Sequence, residues 1–200
     1  MRASLIGLLL LTGCGYSLNN SQATHQVKPS FQAWGIKYVP GLPIDPFYNI
    51  PGTPQYSNPP VYMQPLPEGV LTQIMANFLT PGINSPDYDT VNSSWKPMTK
   101  GLYYIDEQAT IQATFNTPGF ARYYIQLNLA GAPYLWYSDD VGVPANTVVR
   151  HKVSINAVMC FNGISDHSEV GASLTGDVET ATIISQESQF EGYYLGDCND

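Results

Sequence analysis

Leu11-Thr12-Gly13-Cys14 places a thiol directly behind small residues, at the end of an apolar run from Leu5 to Leu11 that follows a lone cation, Arg2. A bacterial signal peptide ending in a lipobox has this layout: the cysteine sulfur takes a lipid and the cysteine becomes the new amino terminus. The run is too short to cross a bilayer, which needs about 20 apolar residues. Cys14 is therefore a candidate lipidation site and residues 1–14 a leader. The competing reading is an uncleaved apolar arm packed against a partner.

Other chemistry-bearing residues are sparse. The histidines are His25, His151 and His167, and His151 falls on the apolar parity of a strand, as a packed imidazole would. Asp166-His167-Ser168 has the residue types of a triad, but sequence neighbours cannot converge as a relay. No Gly-x-Ser-x-Gly elbow exposes a serine. Zinc would need about four ligands at short spacings, which the chain does not supply. Calcium takes oxygens from loops, and Asp87, Asp89, Asp139, Asp140 and Asp166 are the loop carboxylates on offer. Of these Asp139 and Asp140 are the weak calcium candidates, and no other cofactor is expected. Carboxylates for glycoside hydrolysis exist by type, without a tryptophan-lined groove to go with them. The expectation is that the chain is not an enzyme.

The 200 residues carry a net charge of −8, or −9 without Arg2, which repels phosphate backbones and argues against nucleic-acid binding. Charged residues make up only 12% against 44% hydrophobic, so a core can form under a weakly charged surface. The 14 Tyr, 16 Pro and 17 Gly favour strands and turns over helices.

Residues 15–24 read as a polar spacer. From Pro29 to Pro67, prolines interleave with Trp34, Tyr38, Phe47, Tyr48, Tyr56 and Tyr62. Proline fixes φ and removes donors, so neither a helix nor a central strand is expected there. An extended arm follows, reaching on the order of 100 Å at roughly 3 Å per residue; an ordinary linker is the alternative. The head begins at residue 68. Val70, Thr72, Ile74, Ala76 and Phe78 alternate as a first strand. Tyr103, Ile105, Ala109, Ile111, Ala113 and Phe115 share one face of a second, with Glu107 out of step. Further alternation covers 122–129 and 149–161, with shorter strands at 169–174, 178–184 and 189–195. Period two with Gly, Pro, Asn and Asp between runs predicts an all-β antiparallel sandwich.

Four stretches carry a resemblance. They are Asp87-Tyr88-Asp89-Thr90 followed by Ser94-Trp95-Lys96-Pro97; Gly101-Leu102-Tyr103-Tyr104-Ile105; Gly176-Asp177-Val178; and Phe190-Glu191-Gly192-Tyr193-Tyr194-Leu195. In that order, across residues 70–195, they resemble the complement-globular-head and tumour-necrosis-factor-like jelly roll, in its phage-type head version. Its landmark positions here are Gly101, Tyr103, Gly176, Asp177, Phe190 and Gly192. Ser93-Ser94 stands where the family often has Gly before the aromatic, and 130–148 does not align. The resemblance implies a jelly roll of about eight to ten strands that forms a homotrimer. In the strand mapping it gives, Cys160 and Cys198 lie at opposite poles. A bridge needs Cα atoms within about 7 Å, so none is expected.

The resulting expectation is a non-enzymatic, trimeric, surface-displayed head. It is a virion structural protein of decoration, spike or fibre type, with neighbouring virion proteins and a glycan or protein receptor as partners. The alternative is an outer-membrane lipoprotein with a ligand-binding or envelope-assembly head. Ligand contacts are expected in loops 132–146 and 161–168, at Tyr134, Trp136, Tyr137, Asp139, Asp140 and Asn162, with trimer packing as the competing use of the aromatics.

Overall fold

A computed structural model describes residues 30–35, 63–76, 78–79 and 86–198. The leader with Cys14, the spacer with His25 and most of the Pro-rich arm lie outside the described residues.

The long strands are set by simple alternation. In β7 (Gly101–Phe115) every second side chain from Tyr103 to Phe115 is buried. Glu107 keeps that parity rather than breaking it, and a carboxylate points into the core at 1% exposure. β8 (Gly119–Leu129) buries Ala121, Tyr123, Ile125 and Leu127 in the same way. β10 (Val148–Phe161) buries Val153, Ile155, Met159 and Phe161. β11 (Ser168–Thr175) and β12 (Val178–Gly196) complete the long set. The stretch expected as two closing strands is one, with one of its three register shifts between Ile184 and Gln189.

Six short strands and one further long strand fill the sandwich: β1 (Ser30–Trp34), β2 (Met63–Pro65), β3 (Thr72–Gln73), β4 (Phe78–Leu79), β5 (Tyr88–Asp89), β6 (Ser94–Trp95) and β9 (Ala132–Val143). One sheet runs β10-β7-β12-β1-β4 with β2 also on β12; the other runs β5-β6-β11-β8-β9 with β3 on β11. All pairings are antiparallel. The chain passes from β7 to the β8–β9 hairpin in the second sheet, back to β10, over to β11 and back to β12. That alternation between two packed sheets is jelly-roll connectivity.

Between the sheets lies an aromatic core. Phe31 sits 4.5 Å from Trp95 and 4.8 Å from Phe190, while Tyr103 meets Trp95 edge-on at 4.9 Å. Offset and edge-on pairs of this kind add about 0.5–1.5 kcal/mol each beyond their buried area.

Four expectations change. First, β1 lies inside the Pro-rich segment yet pairs with β12 on one side and β4 on the other. Its five residues contain no proline, so every ladder donor is present. Second, 70–78 is not one strand. Ile74 and Ala76 are buried, but the backbone there is held partly by side chains: Met75 N donates to Gln64 Oε1 and Ala76 N to Ser93 Oγ. Third, 132–143 is an edge strand, not a loop.

Fourth, Cys160 and Cys198 form a disulfide, with Cα atoms 5.8 Å apart. β10 and β12 both run antiparallel to β7 and so parallel to each other, which puts their ends at one pole. Leu102 pairs with Cys160 on one side and Gly196 on the other, and the chain beyond Gly196 reaches the Cys160 thiol.

Candidate interaction surfaces

Strand β9 carries the aromatic candidates. Among the described residues it pairs with β8 alone, and Tyr134, Leu135, Trp136 and Tyr137 are all exposed. Pleating divides them. Trp136 lies on the outer face, where its ring stacks on Tyr124 at 6.0 Å and 24°. A ladder of side-chain hydrogen bonds runs beside this pair: Tyr124 OH donates to Gln126, whose amide donates to Asn128. Tyr137 alternates to the other side, where a cleft of about 240 Å³ is lined by Leu135, Trp136, Tyr137, Ser154 and Asn156. Tyr134 occupies the register shift opposite the Leu127–Asn128 step.

Asp139 and Asp140 are neighbours in the same strand, so they face opposite ways. Asp140 receives two bonds from the Arg122 guanidinium, at 2.8 and 2.9 Å, and this bidentate pair holds its carboxyl below the ordinary range. Asp139 approaches His151 Nε2 at 3.1 Å, and the His151 ring packs 4.4 Å from Tyr123. His151 is half-buried, as its strand parity implied. The two carboxylates diverge onto separate partners. The other loop aspartates are engaged locally: Asp89 accepts from Val91 N, Asn92 N and the Asn92 amide, and Asp87 from Met98 N. Among the described residues no three His, Cys, Asp or Glu side chains gather as a metal set.

Asn162 is a loop organiser. Its Oδ1 accepts from the backbone N–H groups of Ile164, Ser165 and Asp166, and its amide donates to Asp166 and Ser165. Its loop meets the β8–β9 turn, where Ala130 N donates to His167 O at 2.8 Å.

The landmark residues turn out to be structural. Tyr103 is buried and donates to Thr99 O, with burial pushing its phenol up to about 12. Gly101 opens β7 where a Cβ would meet Tyr194 and the Gly196 carbonyl. Asp177 ties the β11–β12 turn to the β7–β8 turn, accepting from Asn116 and Thr117 at 2.9 Å each. Those bonds hold its carboxyl below the ordinary range.

A second exposed surface escaped sequence reading. On the outer face of the first sheet, Val158, Tyr104, Tyr193 and Ser30 stand in one cross-strand row. The Tyr104 and Tyr193 rings lie 5.1 Å apart, and Val158 and Tyr193 are 49% and 44% exposed. The next row places Asp106 opposite Glu191. Gln32 and Gln189 donate their amides to Glu191, while burial and the Glu191 charge raise the Asp106 carboxyl against the pull of Lys152. Beyond lies a polar cavity of about 450 Å³ lined by Trp34, Gln32, Gln108, Lys152 and Gln189. The signal for the tyrosine row was present as outward parity in two strands, but only the register aligns them.

Ser30 pairs with Tyr193, so β1 is entered from the pole that also holds the 162–167 loop and the disulfide. The opposite pole carries the turns at 116–118, 144–147 and 176–177.

No family model matches the chain, and no curated protein matches it. Among solved structures it is similar to the globular domain of zebrafish complement 1qA protein, at 12% identity and a TM-score of 0.49, over 86% of this chain and 100% of that one. It is also similar to Eiger TNF from S. frugiperda, at 11% identity and a TM-score of 0.47, over 69% of this chain and 92% of that one. The jelly roll itself is read from the strand order of this chain.

Proposed function

We propose that this chain is a non-enzymatic display head that assembles as a homotrimer, serving as a virion structural protein of decoration, spike or fibre type. The observation that carries the proposal is the pair of different exposed apolar patches on one sandwich. One is the β9 edge at Leu135, Trp136 and Tyr137; the other is the sheet row Val158, Tyr104 and Tyr193. An edge patch on one copy set against a face patch on the next is a heterologous contact, and such contacts close into a ring when the rotation allows. Three-fold presentation converts weak single contacts into avidity.

Entry of β1 at the pole of the 162–167 loop places the opposite turns farthest from an N-terminal tether. Receptor contacts, whether to a glycan or a protein, are therefore assigned to the turns around Asn116, Asn146 and Asp177 rather than to Asn162.

Leu11-Thr12-Gly13-Cys14 favours a second reading, an outer-membrane lipoprotein whose head binds a ligand or joins an envelope assembly. The mass of the natural N-terminus separates the two. A lipid-modified Cys14 supports the lipoprotein, and an unprocessed leader in purified particles supports the virion protein.

A further inference from the structure

Glu107 is a carboxylate buried in the core that neither display nor assembly uses. It follows the inward parity of β7, between Ile155 of β10 and Phe190 of β12 in the same cross-strand row. It is 1% exposed, and neither carboxyl oxygen has a hydrogen-bond partner. An isolated ionised carboxylate in such surroundings is far more costly than a neutral one.

The groups around it offer no counter-charge. From β5 comes the phenol of Tyr88, itself buried and donating to Ala76 O at 2.6 Å. Burial raises the Tyr88 phenol first and Glu107 second, so the two groups oppose each other's ionisation. β12 and β10 present Phe190 and Ile155. On its own strand Asp106 adds a second negative charge from the outer face, where Glu191 and Lys152 also lie. The other phenols buried in the core, Tyr103 and Tyr123, are both pushed up to about 12 by burial. No cation is among the groups acting on Glu107, and burial followed by the Asp106 charge raises its carboxyl well above the ordinary value of 4.5.

We propose that Glu107 is held in the sandwich as a neutral carboxylic acid and couples folding to one proton, so that the head is tightened by acid and loosened by base. The folded state keeps a proton that the unfolded chain releases above its ordinary value. Stability from this residue is therefore fully present below about pH 4.5, and it is lost as the pH rises toward the raised folded value.

The test compares oxidised wild type with Glu107→Gln by denaturant unfolding from about pH 4 to pH 9. The ratio of their folding constants cancels the titrating groups that do not interact with Glu107. The expected result is a wild-type constant that falls about tenfold per pH unit relative to the variant above the ordinary carboxylate value. An infrared band of a protonated carboxyl, present in folded wild type at neutral pH and absent from the variant, is the accompanying signature. A pH-independent ratio, a ratio that rises with pH, or a wild type without that band overturns the proposal. Should Glu107→Gln not fold, Glu107→Leu takes its place in the ratio, and the wild-type band still decides.

Discussion

The indole of Trp95 lies against the α-carbon of Gly192, so that a methyl added there would come within 2.5 Å of the ring and 2.8 Å of Phe31. Both aromatics are pinned, Trp95 by Tyr103 and Phe31 by Phe190. Gly192→Ala is therefore expected to overpack the centre of the sandwich and cost about 1–3 kcal/mol or more. A lowered urea midpoint with an unchanged slope checks it, and an unchanged midpoint would show that the core gives way freely.

The Cys160–Cys198 bridge joins two strand ends across 38 residues of chain. Cross-links of this kind contribute about 2–4 kcal/mol, chiefly by restricting the unfolded chain. Cys160→Ser paired with Cys198→Ser is expected to lower the melting temperature, and added reductant should reproduce that shift in wild type while leaving the double variant unmoved. Peptide mapping without reductant should recover a linked 160–198 fragment.

What the sequence disclosed follows from burial. β7, β8 and β10 alternate because one face of each is sealed, and they were legible to within three residues. β9 was missed because it is exposed on both parities for most of its length, so no period-two signal exists to read. β1 was hidden by its proline-rich surroundings, although Phe31 and Ala33 are among the most buried residues. The disulfide was misjudged through strand direction: one reversal in the mapping moves a strand end to the other pole. Glu107 shows the reverse failure, since its parity was visible and its polarity made it look like an error in the pattern.

On the acid side the surface carboxylates act against Glu107. Asp89 is held below its ordinary value of 3.8 chiefly by the Asn92 amide, and Asp177 by Asn116 and Thr117. Folded values below the unfolded ones mean stability that is present above the ordinary value and lost as the pH falls through the lowered ones. Asp177→Asn should flatten the acid limb of the unfolding profile and leave the alkaline limb unchanged. Thermal melts across pH 2 to 5 read this directly, and an acid limb as steep as wild type would count against the Asp177 bonds.

Trp136 is 61% exposed, so its replacement removes little from the core. Trp136→Asp is expected to keep the wild-type melting behaviour of the isolated fold while weakening self-association at least tenfold. Tyr104→Arg, placed on the other patch, should do the same. Mixing the two variants should restore little assembly, because every contact in a ring needs both patches. Restoration to wild-type levels would point instead to a pairing that uses one patch per copy.

Sedimentation equilibrium or native mass spectrometry of the wild-type head tests the central claim most directly. The account predicts a mass three times that of one chain at micromolar concentration, falling to a single-chain mass in Trp136→Asp. A wild-type head that stays monomeric across that range would contradict it.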